Sequence, residues 1–389
     1  MVDRCLSLSA DETRDALDRL RGYEDRHRDL RRVLEDHFAT VAGRVDVDLE
    51  ADGELSVDQR ALIGAAFTQE FAIEAAALFN PSIVAHPEPD PDPARLRFIM
   101  SARAVGEGHV SSIVFCTGVV ADADGEPCVV IDPRSPYATR GTVRPQAGDA
   151  YETEFDLATE LSERTLLPAA GPESRGLEDA RFVRFTEEDG SSTYLATYTA
   201  FDGSHITPTR LQTDDFRRFH VTPFAGYAAT NKGMALFPRR VGGRYLALSR
   251  WDRENNEIAW SSDGHDWNEA VAVQLPGRSW DLVQLGNCGS PIETERGWLV
   301  LTHGVGPMRE YAIGALLLDL DDPSKVLGEL SEPLLRPEAD ERDGYVPNVV
   351  YSCGALRYRE TLVLPYGCSD SSIRLAFVDL PQLLEQLQS

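Results

Sequence analysis

Lysine is almost missing from this sequence, occurring only as Lys232 and Lys325 among 38 basic residues. A general preference for arginine accounts for the scarcity, so the informative question is why a lysine persists at 232. Positive charge is scarce as a whole: 64 acidic residues leave the chain at a net −26. A nucleic-acid or anionic-membrane partner needs a basic face, so neither is expected. No window approaches the roughly 18 consecutive apolar residues of a membrane span. The first ten residues also lack the basic and then apolar pattern of a secretory leader, so the expected location is cytoplasmic. The six cysteines (Cys5, Cys116, Cys128, Cys288, Cys353, Cys368) include no CxxC pair and no zinc-like spacing, and read as buried thiols. Neither GxGxxG nor a Walker-type loop appears, which removes the usual dinucleotide and nucleotide-triphosphate signatures. No metal or organic cofactor is expected.

What is present divides into two textures. Leu17, Leu20, Leu30, Val33, Leu34 and Phe38 recur at spacings near three and four, which predicts an amphipathic helix over 11–42, broken near Gly22. A second helix is expected over 57–79, opened by Asp58 and ended by Asn80-Pro81. The run Pro87-Glu-Pro-Asp-Pro-Asp-Pro-Ala94 reads as a linker. Residues 1–86 are therefore expected to form a helical extension and linker, and 87–389 a separate strand-rich domain.

From residue 95 short strands alternate with Gly, Asp and Asn turns. Four segments resemble one another, entering an apolar strand at Tyr194, Tyr245, Trp298 and Thr361, at intervals of 51, 53 and 63 residues. A fifth relative contains Phe98 and ends at Arg103. A repeat of several strands near 50 residues is the mark of propeller blades, so the fold expected is all-β, a five-bladed β-propeller with an N-terminal α-helical extension. In such a fold equivalent strand positions converge on one channel. Asp179 with Arg181, Arg103, Arg250, His303 and Asp370 would then face a common cavity. The segment Arg175-Gly-Leu-Glu-Asp-Ala-Arg181 sets two adjacent carboxylates between arginines. Alone it reads first as a surface ion-pair cluster of minor energetic weight, and second as machinery for acid catalysis on a polar substrate.

The motifs Gly176-Leu-Glu-Asp-Ala-Arg181, Tyr198-Thr-Ala-Phe-Asp202, Asn231-Lys232-Gly-Met-Ala-Leu-Phe-Pro238, Gly297-Trp298 with His303-Gly304, Leu316 to Pro323, Gly344 to Gly354 and Tyr366-Gly-Cys-Ser-Asp370 occur in one order. Jointly they resemble glycoside hydrolase family 130, the inverting β-mannoside phosphorylases and mannosidases. Gly106-Glu-Gly-His109-Val-Ser-Ser112 is similar to that family's first-blade element. The resemblance implies a central pocket in which Asp179 is the general acid, in some members acting through a sugar hydroxyl. A carboxylic acid must lend its proton to the leaving glycosidic oxygen, which burial or a neighbouring carboxylate makes feasible near neutrality. Inorganic phosphate, the co-substrate, would attack the opposite face of a β-mannoside to give α-mannose 1-phosphate.

The resemblance further implies a phosphate cradle of Arg103, Lys232, Arg250 and His303. Sugar contacts would come from Glu178, Arg181, Asp202, Asn231, Glu341, Asp370 and Tyr366, with Tyr198 and Trp251 as further candidates to line the sugar site. Three positions depart from the family pattern. Ala180 stands where most members have proline, and Thr230 and Gln284 stand where phosphorylases often carry basic residues. Hydrolysis by an inverting β-mannosidase stays open, with Asp252, Glu254 or Glu310 as base, as does a non-catalytic carbohydrate-binding propeller. The expected partner is a small sugar or oligosaccharide, and the N-terminal helices are read either as a cover for the propeller or as a homo-oligomer contact.

Overall fold

The computed structural model describes residues 1–44 and 55–387. The chain divides into two units, Met1–Ala72 and Ile73–Ser389. The first unit is helical, with Val2–Leu6, Ala10–Asp18, Leu30–Ala42 and Val57–Ala66. Ser9 with Glu12 and Ser56 with Gln59 form reciprocal caps, each satisfying backbone N–H groups that helix geometry leaves without partners. The expected break in the first helix is real: a 3-10 stretch, Arg19–Arg26, contains Gly22. The apolar stripes meet around Val2, Val41 and Ile63.

The second expected helix stops at Ala66, and Ala77–Ala85 is instead a strand paired antiparallel with Leu96–Val105. The alanine-rich run favours helix locally, but such preferences are worth at most about 0.7 kcal/mol per residue for ordinary side chains. Pairing in a sheet and burial of Phe79, Ile83 and Val84 outweigh them. Pro87–Ala94 consequently lies in the loop that joins these two strands. The expected boundary after residue 86 falls inside a sheet, and the contact boundary is at Ala72/Ile73. A proline-rich composition marks a segment that cannot enter a ladder, whether it links domains or strands.

Besides a two-stranded parallel sheet of Thr139–Arg140 with Arg164–Thr165, the described residues of the second unit form one ten-stranded sheet, which a single parallel pairing divides into two antiparallel parts, and three further antiparallel sheets, so that five antiparallel sheets follow in chain order. The first runs Ala77–Ala85, Leu96–Val105, Ser111–Ala123, Glu126–Ile131. The second runs Gly176–Thr186, Ser192–Phe201, Ile206–Thr213, Arg218–Pro223, and continues through Tyr151–Glu154 and Thr142–Pro145. The third runs Ala235–Leu236, Tyr245–Ser249, Asn256–Ser261, Glu269–Gln274. In the fourth, Gln284–Asn287 and Ile292–Thr294 both pair with Gly297–Val305, followed by Tyr311–Leu318 and Val326–Glu329. In the fifth, Val350–Tyr351 and Leu356–Tyr358 both pair with Thr361–Cys368, followed by Ser372–Asp379. A single parallel bridge, Ser111 to Gly176, links the first two sheets. Gly176 has φ 134°, and a Cβ there would lie 2.2 Å from the Ser111 hydroxyl, so this junction admits only glycine.

The repeating segment read from the sequence is the second strand of every sheet, not the first. Apolar side chains buried on both faces make these strands conspicuous, as in Gly297–Val305, which is buried throughout. Trp267 and Trp298 are fully buried, and Phe115, Phe182, Phe216 and Phe219 pack as an aromatic cluster behind the second sheet's first strand. Each such side chain contributes about 1.5–3 kcal/mol by leaving water, a rigid backing for the polar residues that follow.

Candidate active site

The first strand of the second sheet carries the carboxylate pair, and it is bulged there. Glu178 pairs with Thr199 and Arg181 with Thr197, so Asp179 and Ala180 together oppose Tyr198. Asp179 sits at φ 55°, a left-handed conformation that a short polar side chain tolerates. The bulge turns Asp179 out of the simple strand alternation. A matching irregularity lies on the first strand of the first sheet, where the register passes from Phe79↔Arg103 to Ser82↔Ser101 and Asn80 has φ 50°. The two re-aimed side chains meet: the Asn80 amide donates to Asp179 at 2.7 Å.

Around them lies a cavity of about 180 Å³. Asn80, Asp179, Arg181, Lys232, Arg250, Gln284, His303, Arg309, Tyr311, Tyr351 and Asp370 line it, with Val346 and Val349. A second cavity, about 500 Å³ and more apolar, is lined by residues 83–85, 182–184, 186, 238–239, 290–293 and 354–357. In every sheet the inner chain segment therefore passes from one cavity to the other: Asn80 to Ile83, Asp179 to Phe182, Lys232 to Pro238, Gln284 to Ser290 and Val349 to Gly354. The chemistry concentrates in the smaller one.

Asp179 is mostly enclosed, between cations. Arg103 lies 3.5 Å away, and Arg181 donates to the Asp179 carbonyl at 2.8 Å and to the Tyr351 hydroxyl at 2.7 Å. Burial pushes the Asp179 carboxyl up, but Arg103, Arg181, the Asn80 amide and Lys232 outweigh it and hold the group below the ordinary aspartate range. Asp370 behaves oppositely. Burial and the charge of Asp179 push it up to about 7, against the pull of Arg103 and Arg309. The free site thus pairs an ionised carboxylate with one that titrates near neutrality, the separation that acid–base work uses.

Of the residues expected at the site, Asp179, Arg181, Lys232, Arg250, His303 and Asp370 converge on the cavity. Arg103 lies behind it, bonded to Glu178 at 2.8 Å and packed over the Phe79 ring. Glu178 is clamped between Arg103 and Lys232. Asn231 donates to the Arg250 carbonyl at 2.9 Å and so braces that arginine's backbone. Asp202 is placed in a turn, where the backbone N–H groups of His205 and Ser204 and the His205 ring draw its pKa to about 2. Glu341 is buried, accepting from Tyr366 at 2.8 Å and Arg374 at 3.2 Å, so Tyr366 and Glu341 satisfy each other outside the lining. Tyr198 bonds to buried Glu173 in the core.

His303 contributes no charge. Burial, with Arg250 and Arg181 nearby, holds its pKa well below the usual histidine value. Its Nδ1 lies 3.1 Å from the Asn287 carbonyl, which makes that nitrogen the donor and leaves Nε2 facing Arg250 at 3.4 Å. The ring packs directly on Gly286, where a Cβ would come within 2.3 Å of it. Among the described residues, neither Arg250 nor Arg309 has a carboxylate within ion-pair distance; Arg250 reaches only His303 and the Leu285 carbonyl, each at 3.4 Å.

Arg309, Asn80, Gln284, Tyr311 and Tyr351 were not expected among the lining residues. Arg309 had a signal. The turn Gly306-Pro-Met-Arg309 repeats Gly106-Glu-Gly-His109, each holding two left-handed residues between the second and third strands of its sheet.

A family model described as beta-1,4-mannooligosaccharide phosphorylase matches residues 153–389. The chain is 32% identical over 261 residues to a 1,2-beta-oligomannan phosphorylase of Thermoanaerobacter sp. (strain X514), covering 64% of this chain and 83% of that protein. It is likewise 32% identical over 223 residues to a beta-1,2-mannobiose phosphorylase of Listeria innocua, covering 55% of this chain and 60% of that protein. Among solved structures, the beta-1,2-mannobiose phosphorylase of Listeria innocua in complex with beta-1,2-mannobiose superposes with a TM-score of 0.56 at 24% identity, over 83% of this chain and 94% of that one. That likeness bears on the fold.

Proposed function

From the premise that the chain belongs to glycoside hydrolase family 130, we propose that it is an inverting phosphorylase that cleaves a β-mannoside with inorganic phosphate to give α-mannose 1-phosphate. One observation carries the choice of nucleophile: a cavity in an acidic chain where Arg250 and Arg309 have no carboxylate partner among the described residues, with Lys232 on the same wall. Cations left unneutralised beside a cavity favour an anion. Arg309 offsets the basic residues that Thr230 and Gln284 do not supply. The relatives named as mannoside phosphorylases support phosphorolysis in general.

Asp179 is the general acid in this reading, and its depressed pKa sets a condition on the mechanism. In the free site the carboxylate is held ionised by Arg103, Arg181 and Lys232, of which Lys232 also belongs to the phosphate wall. A phosphate dianion on Lys232, Arg250 and Arg309 offsets part of that field and adds a like charge beside the carboxylate, and a sugar filling the cavity removes water. Both changes raise the carboxyl's pKa. Proton uptake by Asp179 is therefore coupled to formation of the ternary complex, and Asp370 is the neighbour poised to hold a proton in the meantime. His303, neutral, orients phosphate as a hydrogen-bonding group.

The five sheets, each sending its inner segment between the same two cavities, are read as the five blades of a propeller, with Met1–Ala72 as its helical extension. A sugar phosphate is retained only inside a cell, which favours a cytoplasmic location. The alternative, hydrolysis, is separated by product analysis with and without phosphate. The expected result is mannose 1-phosphate of α configuration that forms only with phosphate; free mannose released at an equal rate without phosphate would refute phosphorolysis. Asp179→Asn is expected to lower kcat by about 10²–10⁴, the span of general acid catalysis, with the fold retained by circular dichroism.

A further inference from the structure

The cavity is polar and small, whereas its surroundings are not. Four large apolar side chains exposed in this unit stand next in sequence to a lining residue: Trp251 beside Arg250, Val283 beside Gln284, Met308 beside Arg309, and Tyr345 beside Val346. Exposed apolar side chains on the segments that build a polar site mark a ligand-contact surface more than scattered exposure does.

Trp251 is the most developed of these. It is 40% exposed, and its ring meets that of Tyr227, 43% exposed, edge to face at 5.2 Å and 85°. Tyr227 lies on the short turn Tyr227–Ala229 that leads to Lys232, so the pair spans two cavity-lining segments. Burial and Asp252 push the Glu257 carboxyl up to about 7, against the lowering influence of the Trp251 indole and backbone N–H groups. The indole, packed edge to face on Tyr227, keeps part of its surface open to solvent. A ring that a neighbour already restrains loses less entropy when a ligand covers it.

A sugar presents polar hydroxyls at its edge and C–H groups on its faces, the surface an aromatic ring complements. A cavity of about 180 Å³ accommodates one ring with the nucleophile, so the remainder of a longer substrate must lie outside. We propose that the Trp251–Tyr227 pair is the stacking platform for the acceptor-side sugar, the part of the β-mannoside that departs when the bond at the cavity is cut. This assignment rests on the phosphorylase reading and adds to it the place where chain length is sensed.

The test uses the full chain in the synthetic direction, with α-mannose 1-phosphate as donor and mannobiose or mannotriose, β-1,2- and β-1,4-linked, as acceptor. Trp251→Ala is expected to raise the acceptor KM about tenfold, equivalent to about 1.4 kcal/mol, with the KM for α-mannose 1-phosphate unchanged. Trp251→Phe should recover most of the loss. An unchanged acceptor KM, or equal rises in both KM values, overturns the platform. If the wild-type chain shows neither synthesis nor phosphorolysis, the phosphorylase reading fails separately. Calorimetric titration with β-1,2- and β-1,4-mannotetraose then decides the platform alone: binding lost in Trp251→Ala supports it, and equal binding, or none in either protein, refutes it.

Discussion

At the residue scale the site is a balance between two carboxylates in one field. Asp179 is surrounded by Arg103, Arg181 and Lys232 and stays ionised, whereas Asp370 is burdened by that ionised neighbour and by burial. The stability consequence has a definite sign. Asp370 titrates at about 7 in the folded chain against an ordinary 3.8, so across that window the folded state holds a proton that the unfolded state has released. Stability contributed by this group is therefore lost as pH rises from about 4 to about 7, and is constant above. Asp370→Asn removes that slope: its melting temperature relative to wild type should rise between pH 5 and pH 8, and a constant difference would contradict the assignment. Arg309 makes a second prediction. As a cation without a carboxylate partner among the described residues, it should matter to phosphate more than to sugar, so Arg309→Gln is expected to raise the phosphate KM about tenfold, a loss of about 1.4 kcal/mol, with the mannoside KM little affected. Asp179, Lys232 and His303 were legible because they stand in ordered motifs, and Arg250 because it closes one of the repeating strand segments. The loss of charge from His303 was not, because it comes from burial and from two arginines distant in sequence.

At the element scale, irregularities in otherwise regular strands do the positioning. The bulges at Asn80 and Asp179 each put two residues against one, and they turn these two side chains toward each other, joined at 2.7 Å. Regular strands would have alternated these side chains away. Gly286 works in the opposite manner, by omission, since its missing side chain is the space the His303 ring occupies. Gly286→Ala should displace that ring and with it Arg250. The expected outcome is a raised phosphate KM together with a stability loss of about 1–3 kcal/mol, the usual cost of overpacking, read by kinetics and denaturant unfolding. The strand repeat was legible because fully buried second strands carry an unbroken apolar signal. The first strand of the first sheet was mistaken for the end of a helix, because Ala75–Leu78 holds no feature that distinguishes a buried strand from a buried helix until a pairing partner is present.

At the scale of the whole molecule, no single sheet owns the site: Asn80, Asp179, Lys232, His303 and Asp370 come from segments of five different sheets. A ligand that binds only when all are assembled ties them together. Phosphate should therefore raise the melting temperature of the full chain, by an amount corresponding to about 2.7 kcal/mol at a concentration of 100 Kd. That shift should shrink in Arg309→Gln, and its absence in the wild type would speak against an anion site. The sequence by itself determined the β-rich repeat, the family and the principal charged residues, since these are properties of local pattern and ordered motifs. Only the tertiary structure decided which of those residues share a cavity, that Glu341, Tyr366 and Asp202 serve neighbours instead, that Asp370 holds its proton near neutrality, and that Arg309 joins the cavity wall. Each of those outcomes depends on distance and burial between segments remote in the chain, and electrostatic energy is a function of that separation, which no local pattern of residues encodes.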